Sequence, residues 1–416
     1  MELHELNHWW ELKHVKEEFS LATFRDLFYD VKKELDRKQI QIIVGLRRAG
    51  KSTILFQITD YLIKNNVNPL NIVYCSFDEL ELQEKTIEGI LKEYSKITNV
   101  DYKKEKIYLL IDEAQKSKNW VSGLKLIYDN LRNIKILVSG SASLNILSEA
   151  KKSLAGRVIY YELKPLNFKE FLRLKGINIE KNKYLIYKDK IEKEFNQFIL
   201  RSFPELINEN DSNFIKNYIR NSVIEPIILK DIPKEFKEVD ILLLEKLVNV
   251  FLSNPGRYLI VDNFAKELKR AKTTIYKALF YLEFSFLIKK ILNFRPSINI
   301  ASRKLSRIYA YHQSLSLPFN ISQEKYAENL VLSELDAKYY WRDKEKEIDF
   351  LKDFIPVEVK FKSKIEKDDI KWINYFTQKY GKKYNIKKAY VITKDCEGNI
   401  NGINLMPLWK LCFMGL

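Results

Sequence analysis

The chain has 416 residues, 46% of them hydrophobic, enough for about two to four domains with real cores, which argues against a disordered or fibrous protein. Lys and Arg number 71 against 55 Asp and Glu, and the net charge of +16 suits a polyanionic partner such as DNA or RNA, although it can also serve solubility alone. Cys75, Cys396 and Cys412 are widely spaced in apolar segments, which speaks against a disulfide framework or a zinc site, and no apolar run approaches the ~18 residues of a membrane span. A cytoplasmic protein with reduced thiols and no membrane partner is expected.

Residues 1–38 carry His8-Trp9-Trp10-Glu11 and then Phe24, Leu27, Phe28, Val31 and Leu35 at helical spacing, which predicts a helix packed on a core. The tryptophan pair is expected to anchor this segment, with stacking on a base as the alternative. An Ile- and Val-rich strand follows and runs into Gly45-Leu-Arg-Arg48-Ala49-Gly50-Lys51-Ser52-Thr53, which satisfies the G-x-x-x-x-G-K-[ST] pattern between a strand and a helix. Gly45 and Gly50 relieve the backbone of Cβ atoms, so that successive N–H groups can face phosphate oxygens at a helix N-terminus. Lys51 would reach the β- and γ-phosphates of ATP, and the Ser52 hydroxyl would ligate Mg²⁺.

A helix to about Lys64 and a strand over Asn71–Phe77 lead to Lys106-Ile-Tyr-Leu-Leu-Ile-Asp112-Glu113. Four apolar residues ending in two carboxylates read as a Walker B strand, with Asp112 beside the metal and Glu113 set to polarise the attacking water. The next strand ends in Ser139-Gly-Ser-Ala-Ser143, where Ser139 suits a sensor hydroxyl at the carboxyl edge of the sheet. Arg157 follows a glycine outside the strands and suits an arginine finger across a homo-oligomer interface, a sensor within one subunit, or a plain surface arginine.

These stretches, together with Leu154-Ala-Gly-Arg157 and Leu163-Lys-Pro-Leu-Asn-Phe-Lys-Glu-Phe171, resemble the predicted archaeal and bacterial ATPases of the AAA superfamily. In that family a P-loop domain precedes a winged helix and a nuclease-like domain. Phe203-Pro204 and Lys230-Asp231-Ile232 stand where such proteins carry similar steps, and Arg48 matches a second P-loop arginine near the phosphates. Tyr309-Ala-Tyr-His312 departs from the pattern, since relatives usually show an aspartate there.

Residues 166–238 read as a helical lid punctuated by Pro204, Pro226 and Pro233. Over 239–319 the pattern is helix, helix, turn, helix and hairpin, with helices expected at Asp262–Arg270 and Thr273–Leu282, the second capped by Thr273. Lys266, Lys269, Arg270, Lys272, Thr274 and Lys277 cluster on this unit and are the candidate DNA contacts; a solvated face or a protein-binding module is the alternative. Residues 320–416 read α-β-β-β-α-β, and that order with Asp349 and Glu358-Val-Lys360 resembles the PD-(D/E)xK nuclease fold. Glu358 and Lys360 share one face of a strand; with Asp349 and Glu328 they are the candidate Mg²⁺ and water-activating residues. A solvated face of cross-strand ion pairs on an inert scaffold is the competing reading.

The expected architecture is α/β: a doubly wound parallel P-loop core of AAA type over 1–165, a lid over 166–238, a winged helix over 239–319 and a PD-(D/E)xK-like domain over 320–416. The expected function is ATP binding and hydrolysis coupled to action on DNA, with a Mg²⁺-dependent nuclease site. A nucleotide switch that binds protein partners and a DNA-binding regulator without cleavage stay open.

Overall fold

The computed structural model describes residues 2–19, 21–117, 119–141, 153–295 and 305–416. They divide into two compact units, Met1–Pro165 and Leu166–Leu416. The protein is mixed α/β, with one sheet in each unit.

The first unit is built on five strands, β1 (Ile40–Gly45), β2 (Ile72–Ser76), β3 (Ile107–Asp112), β4 (Ile134–Ser141) and β5 (Val158–Leu163). They lie in the order β2-β3-β4-β1-β5, and every neighbouring pair is parallel. β1, β2 and β3 are buried along their whole length, as a sheet covered on both faces requires. On one face Ile43, Tyr74, Leu110 and Leu137 pack with Phe28 and Val31 of the helix Asp26–Lys33 and with Ile54, Leu55 and Ile58 of the helix Lys51–Lys64. Because β1 sits between β4 and β5, the carboxyl ends of β1, β4 and β3 stand side by side, and the residues that follow them converge.

The N-terminal segment closes the sheet edge at β2. Asn7 accepts from Tyr74 N–H at 2.7 Å and donates to Tyr74 C=O at 2.8 Å, while the indole N–H groups of Trp9 and Trp10 both donate to Ile72 C=O. These bonds occupy backbone groups that would otherwise template pairing with another strand. The tryptophans are therefore core anchors, as their place in a leading segment suggests.

The second unit carries a nine-stranded sheet: β6 (Arg257–Leu259), β7 (Ile288–Asn293), β8 (Ser306–Ala310), β9 (Tyr339–Asp343), β10 (Lys346–Lys352), β11 (Ile355–Lys360), β12 (Tyr390–Thr393), β13 (Gly398–Ile400) and β14 (Ile403–Pro407). Their order is β13-β14-β12-β11-β10-β9-β7-β8-β6. β7 pairs in parallel with β9 through Leu292–Tyr339 and Asn293–Tyr340, so the hairpin expected as a wing and the strands of the C-terminal segment form one continuous sheet. The segments expected as lid, winged helix and C-terminal domain thus belong to one compact unit.

Three local expectations need correction. The segment 212–235 is helical throughout despite Pro226 and Pro233: wide π turns at Ile219–Ile224 and Ile227–Asp231 flank Pro226, which lacks an N–H and would clash inside a regular α-helix. The helix of the candidate DNA-contact unit runs Lys272–Phe284 with Ala271 at its N-cap, so Thr273 lies inside it and does not cap it. Its partner helix ends at Glu267, three residues short of Arg270. Cys75, Cys396 and Cys412 are free thiols, and no helix among the described residues is long and apolar enough to cross a membrane.

Candidate functional site

The P-loop leaves β1 at Gly45. A Cβ there would lie 2.2 Å from the Leu163 carbonyl oxygen of β5, so close strand packing is what demands the glycine. Arg48 and Gly50 both take positive φ, 64° and 96°, and bend the loop back on itself on either side of buried Ala49. Arg25, itself buried, donates to Ala49 C=O at 2.9 Å and to Lys164 C=O at 2.8 Å, pinning the loop to the end of β5. Lys51 opens the helix that follows. Its ammonium donates to Leu46 C=O at 3.0 Å and to Gly45 C=O at 3.2 Å, within the curve of the loop. Thr53 lies half-buried in the first turn.

Asp112, at the tip of β3, is the hub. Its Oδ2 accepts from Ser52 Oγ at 2.5 Å and from Tyr74 OH at 3.1 Å, and its Oδ1 accepts from Ser139 Oγ and from Glu113 N–H at 3.1 Å. Burial and the charge of Asp112 push the Tyr74 phenol up, so it stays a neutral donor. Glu113 leaves the strand with φ 50° and is held by Gln115 Nε2 at 2.6 Å. Burial raises its carboxyl above the usual range against the pull of Lys51.

Lys51, Ser52, Asp112, Glu113 and Ser139 are therefore brought together. Ser139 reaches Asp112 and orients it; Ser143, further along the hydroxyl tail, lies outside the described residues. Tyr74 and Arg25 are the residues that sequence reasoning missed, and the one available signal was a polar aromatic in an otherwise apolar strand. Arg157 stands elsewhere. It precedes β5, and its C=O accepts from Ile40 N–H at the start of β1, so it occupies the opposite edge of a parallel sheet from the P-loop. It pairs there with Asp129 at 3.0 Å over the Tyr128 ring, which removes a sensor role within its own subunit.

The donor set fits a nucleotide with Mg²⁺: a hydroxyl and a carboxylate in contact, an ammonium folded over loop carbonyls, and backbone bends beside a helix N-terminus. Residues 37–172 match the family model of the AAA domain, and the second unit matches two domains of unknown function, DUF8612 over 192–318 and DUF4143 over 324–411. Sheet order, loop and match define an AAA-type P-loop domain. The chain belongs to the family of the uncharacterized protein MJ1544 of Methanocaldococcus jannaschii, being 30% identical to it over 341 residues that cover 77% of this chain and 74% of that protein. It is also 32% identical over 291 residues to the uncharacterized protein MJ1637 of the same organism, covering 63% of this chain and 60% of the relative. Among solved structures, AMPPCP-bound DnaA from Aquifex aeolicus is similar at 16% identity and a TM-score of 0.30, over 65% of this chain and 92% of that one.

In the second unit the candidate DNA contacts Lys266, Lys269, Arg270, Lys272 and Lys277 are exposed and Thr274 is half-buried. Two of them are already engaged: Arg270 pairs with Asp240 at 2.7 Å and Lys272 with Asp262 at 2.5 Å.

The carboxylate constellation is assembled, but differently from the metal site expected of it. Glu328 projects from the helix Gln323–Leu335, and Asp349 sits where the β9–β10 register slips between Ile348 and Leu351, a bulge that re-aims its side chain. Asp349 Oδ2 accepts from Val359 N–H at 2.9 Å, Glu358 Oε2 accepts from Asp349 N–H at 3.3 Å, and Lys360 Nζ donates to Glu358 Oε1 at 2.7 Å. Burial, reinforced by the charge of Asp349, pushes Glu358 up to about 8. Between Glu328 and Asp349 lies a cation of the chain itself, Arg307 of β8, 2.5 Å from Glu328 Oε1 and 3.2 Å from Asp349 Oδ1. Glu328, Asp349 and Glu358, the expected metal ligands, thus stand in an ion-pair network with Arg307 and Lys360, and among the described residues no group of three or more acidic, His or Cys side chains is disposed to hold a metal.

Proposed function

We propose that the protein binds and hydrolyses ATP in its first unit and that the nucleotide state governs engagement of DNA by its second. The observation that carries the first half is the convergence of Lys51, Ser52, Asp112 and Glu113 at the carboxyl ends of β1 and β3, the two parallel strands that flank β4. Lys51 exchanges its loop carbonyls for the β- and γ-phosphates, and the P-loop N–H groups orient them. Asp112 and Ser52 would hold Mg²⁺, which would supply neutralisation of phosphate charge. Glu113 takes the proton of the attacking water, and Gln115 fixes its carboxylate in place. Tyr74 and Ser139 keep Asp112 from rotating away.

Support for DNA is the net charge of +16 and the exposed Lys266, Lys269 and Lys277 around a helix pair followed by the β7–β8 hairpin, the outline of a winged helix. A second reading, a protein partner at the same helix, draws on Tyr276 and Phe280, which are 58% and 50% exposed one turn apart. The deciding measurement is ATP turnover and DNA affinity across a salt series. Salt-dependent binding, weakened by replacing the three lysines and altered by ATP, supports the DNA reading. Salt-insensitive or absent DNA binding moves the function to a protein partner, and absence of ATP turnover overturns the first half.

A further inference from the structure

The nuclease-like segment poses a question independent of the ATPase reading: what neutralises its buried carboxylates? Glu328 and Glu358 are 8% and 7% exposed, and Asp349 is hydrogen-bonded both to Arg307, the partner of Glu328, and to Glu358. Charges so placed need counter-charge from an ion or from the chain.

The chain supplies it atom by atom. Glu328 Oε1 accepts from Arg307 Nη2 and from Tyr309 OH, and Oε2 from Lys325 Nζ at 3.2 Å. Asp349 Oδ1 accepts from Arg307 Nη1 and Oδ2 from Val359 N–H. Glu358 Oε1 accepts from Lys360 and Oε2 from Asp349 N–H. Every oxygen of the three carboxylates thus has a donor. Arg307 also pairs with Glu347 at 3.1 Å, and its Nε–H donates to Gly256 C=O at 2.9 Å.

The surroundings are shaped to the guanidinium. Tyr258, Tyr309 and Tyr340 place their ring centroids 5.4–5.7 Å from its central carbon, a setting that favours a delocalised cation. At Gly256, with φ +84°, a Cβ would come within 3.0 Å of both Arg307 Nη2 and Glu328 Oε1, so the turn is kept bare where the ion pair passes. Access is not what excludes an ion: a cleft of about 450 Å³, lined by Asn254, Arg257, Tyr258, Asn263 and Lys325, opens beside Arg307.

We propose that Arg307 is the resident cation of this cluster. It takes the coordination positions that a divalent ion would need on Glu328 and Asp349, so the native protein does not load Mg²⁺ or Mn²⁺ there, and removing the Arg307 side chain creates a divalent-cation site. A divalent ion placed between those oxygens would stand against a fixed positive charge at hydrogen-bond distance. Strands β10 and β11 and the helix Gln323–Leu335 are then a scaffold tied to β8 by charge, and phosphodiester cleavage is not its task.

The test is Mn²⁺ titration of the full chain without nucleotide, read by the loss of the free-ion electron paramagnetic resonance signal, in an Asp112→Asn background that silences the P-loop site. The Asp112→Asn protein is expected to bind no Mn²⁺ in a way that Asp349→Asn abolishes. Adding Arg307→Ala is expected to create one site, at least about tenfold tighter than any binding before it and lost again with Asp349→Asn. Mn²⁺ binding by the Arg307-containing protein that depends on Asp349 overturns the proposal, as does a folded Arg307→Ala protein that gains no site. If Arg307→Ala does not fold, the comparison of Asp112→Asn with Asp112→Asn/Asp349→Asn decides alone: equal, negligible binding supports the resident cation and a difference overturns it. ATP turnover of Arg307→Ala in an otherwise unchanged chain reports separately on the first unit.

Discussion

Asp112 and Asp349 are both strand-borne aspartates held by several donors, yet the two centres are built for opposite ends. Around Asp112 the donors are neutral: three hydroxyls and one backbone N–H. Neutral donors orient a carboxylate without cancelling its charge, and a hydroxyl such as Ser52 can turn its lone pairs to a metal. Around Asp349 and its neighbours the donors include a guanidinium and two ammonium groups, so the negative charge is already spent. The charge of the donors, more than the type of the acceptor, decides whether a carboxylate awaits an ion.

The sharpest way to break this contrast is Arg307→Met. It leaves buried carboxylates uncompensated and is expected to cost about 3–5 kcal/mol in the denaturation transition of the second unit, with Mn²⁺ restoring part of the loss. A loss below about 1 kcal/mol would mean that the network is only a surface pair. Lys51→Ala comes next: ATP turnover should fall by about a hundredfold or more, while the denaturant midpoint of the second unit stays put. Gly256→Ala combines a left-handed backbone with a contact against Arg307, and about 1–3 kcal/mol should be lost from the second unit alone. Tyr74→Phe removes one donor from Asp112 and should cost about 1 kcal/mol, with turnover reduced a few-fold because three donors remain. The smallest effect belongs to Arg157→Ala. Its half-exposed pair with Asp129 is worth about 0–1 kcal/mol and turnover should not change; a loss that appears only as protein concentration rises would instead place it at an interface between copies.

Much of the fold was legible because it is written in local periodicity. The predicted strand before Gly45, the Walker B strand and the strand pair carrying Asp349 and Glu358 all lie within a residue or two of β1, β3, β10 and β11. The short β13–β14 hairpin and the terminal helix Leu408–Met414 were not foreseen, since three- to seven-residue elements leave too few turns of period to see. The prolines at 226 and 233 misled for a different reason: a π turn absorbs the missing N–H, and no residue type announces one.

What the sequence determined by itself is the phosphate end of the first site. Gly50, Lys51 and Ser52 are consecutive, and a loop between a strand and a helix needs no distant contact to point them at one place. Only the tertiary structure could bring Tyr74 to Asp112, 38 residues on, or Arg307 to Asp349, 42 residues on, because those meetings depend on which strands lie beside each other. Sheet order and a register slip between β9 and β10 place Arg307 among the carboxylates that spacing alone had grouped as a metal site. Spacing along a chain records which groups share an element; the charge each one meets is set by the neighbours that long-range pairing delivers.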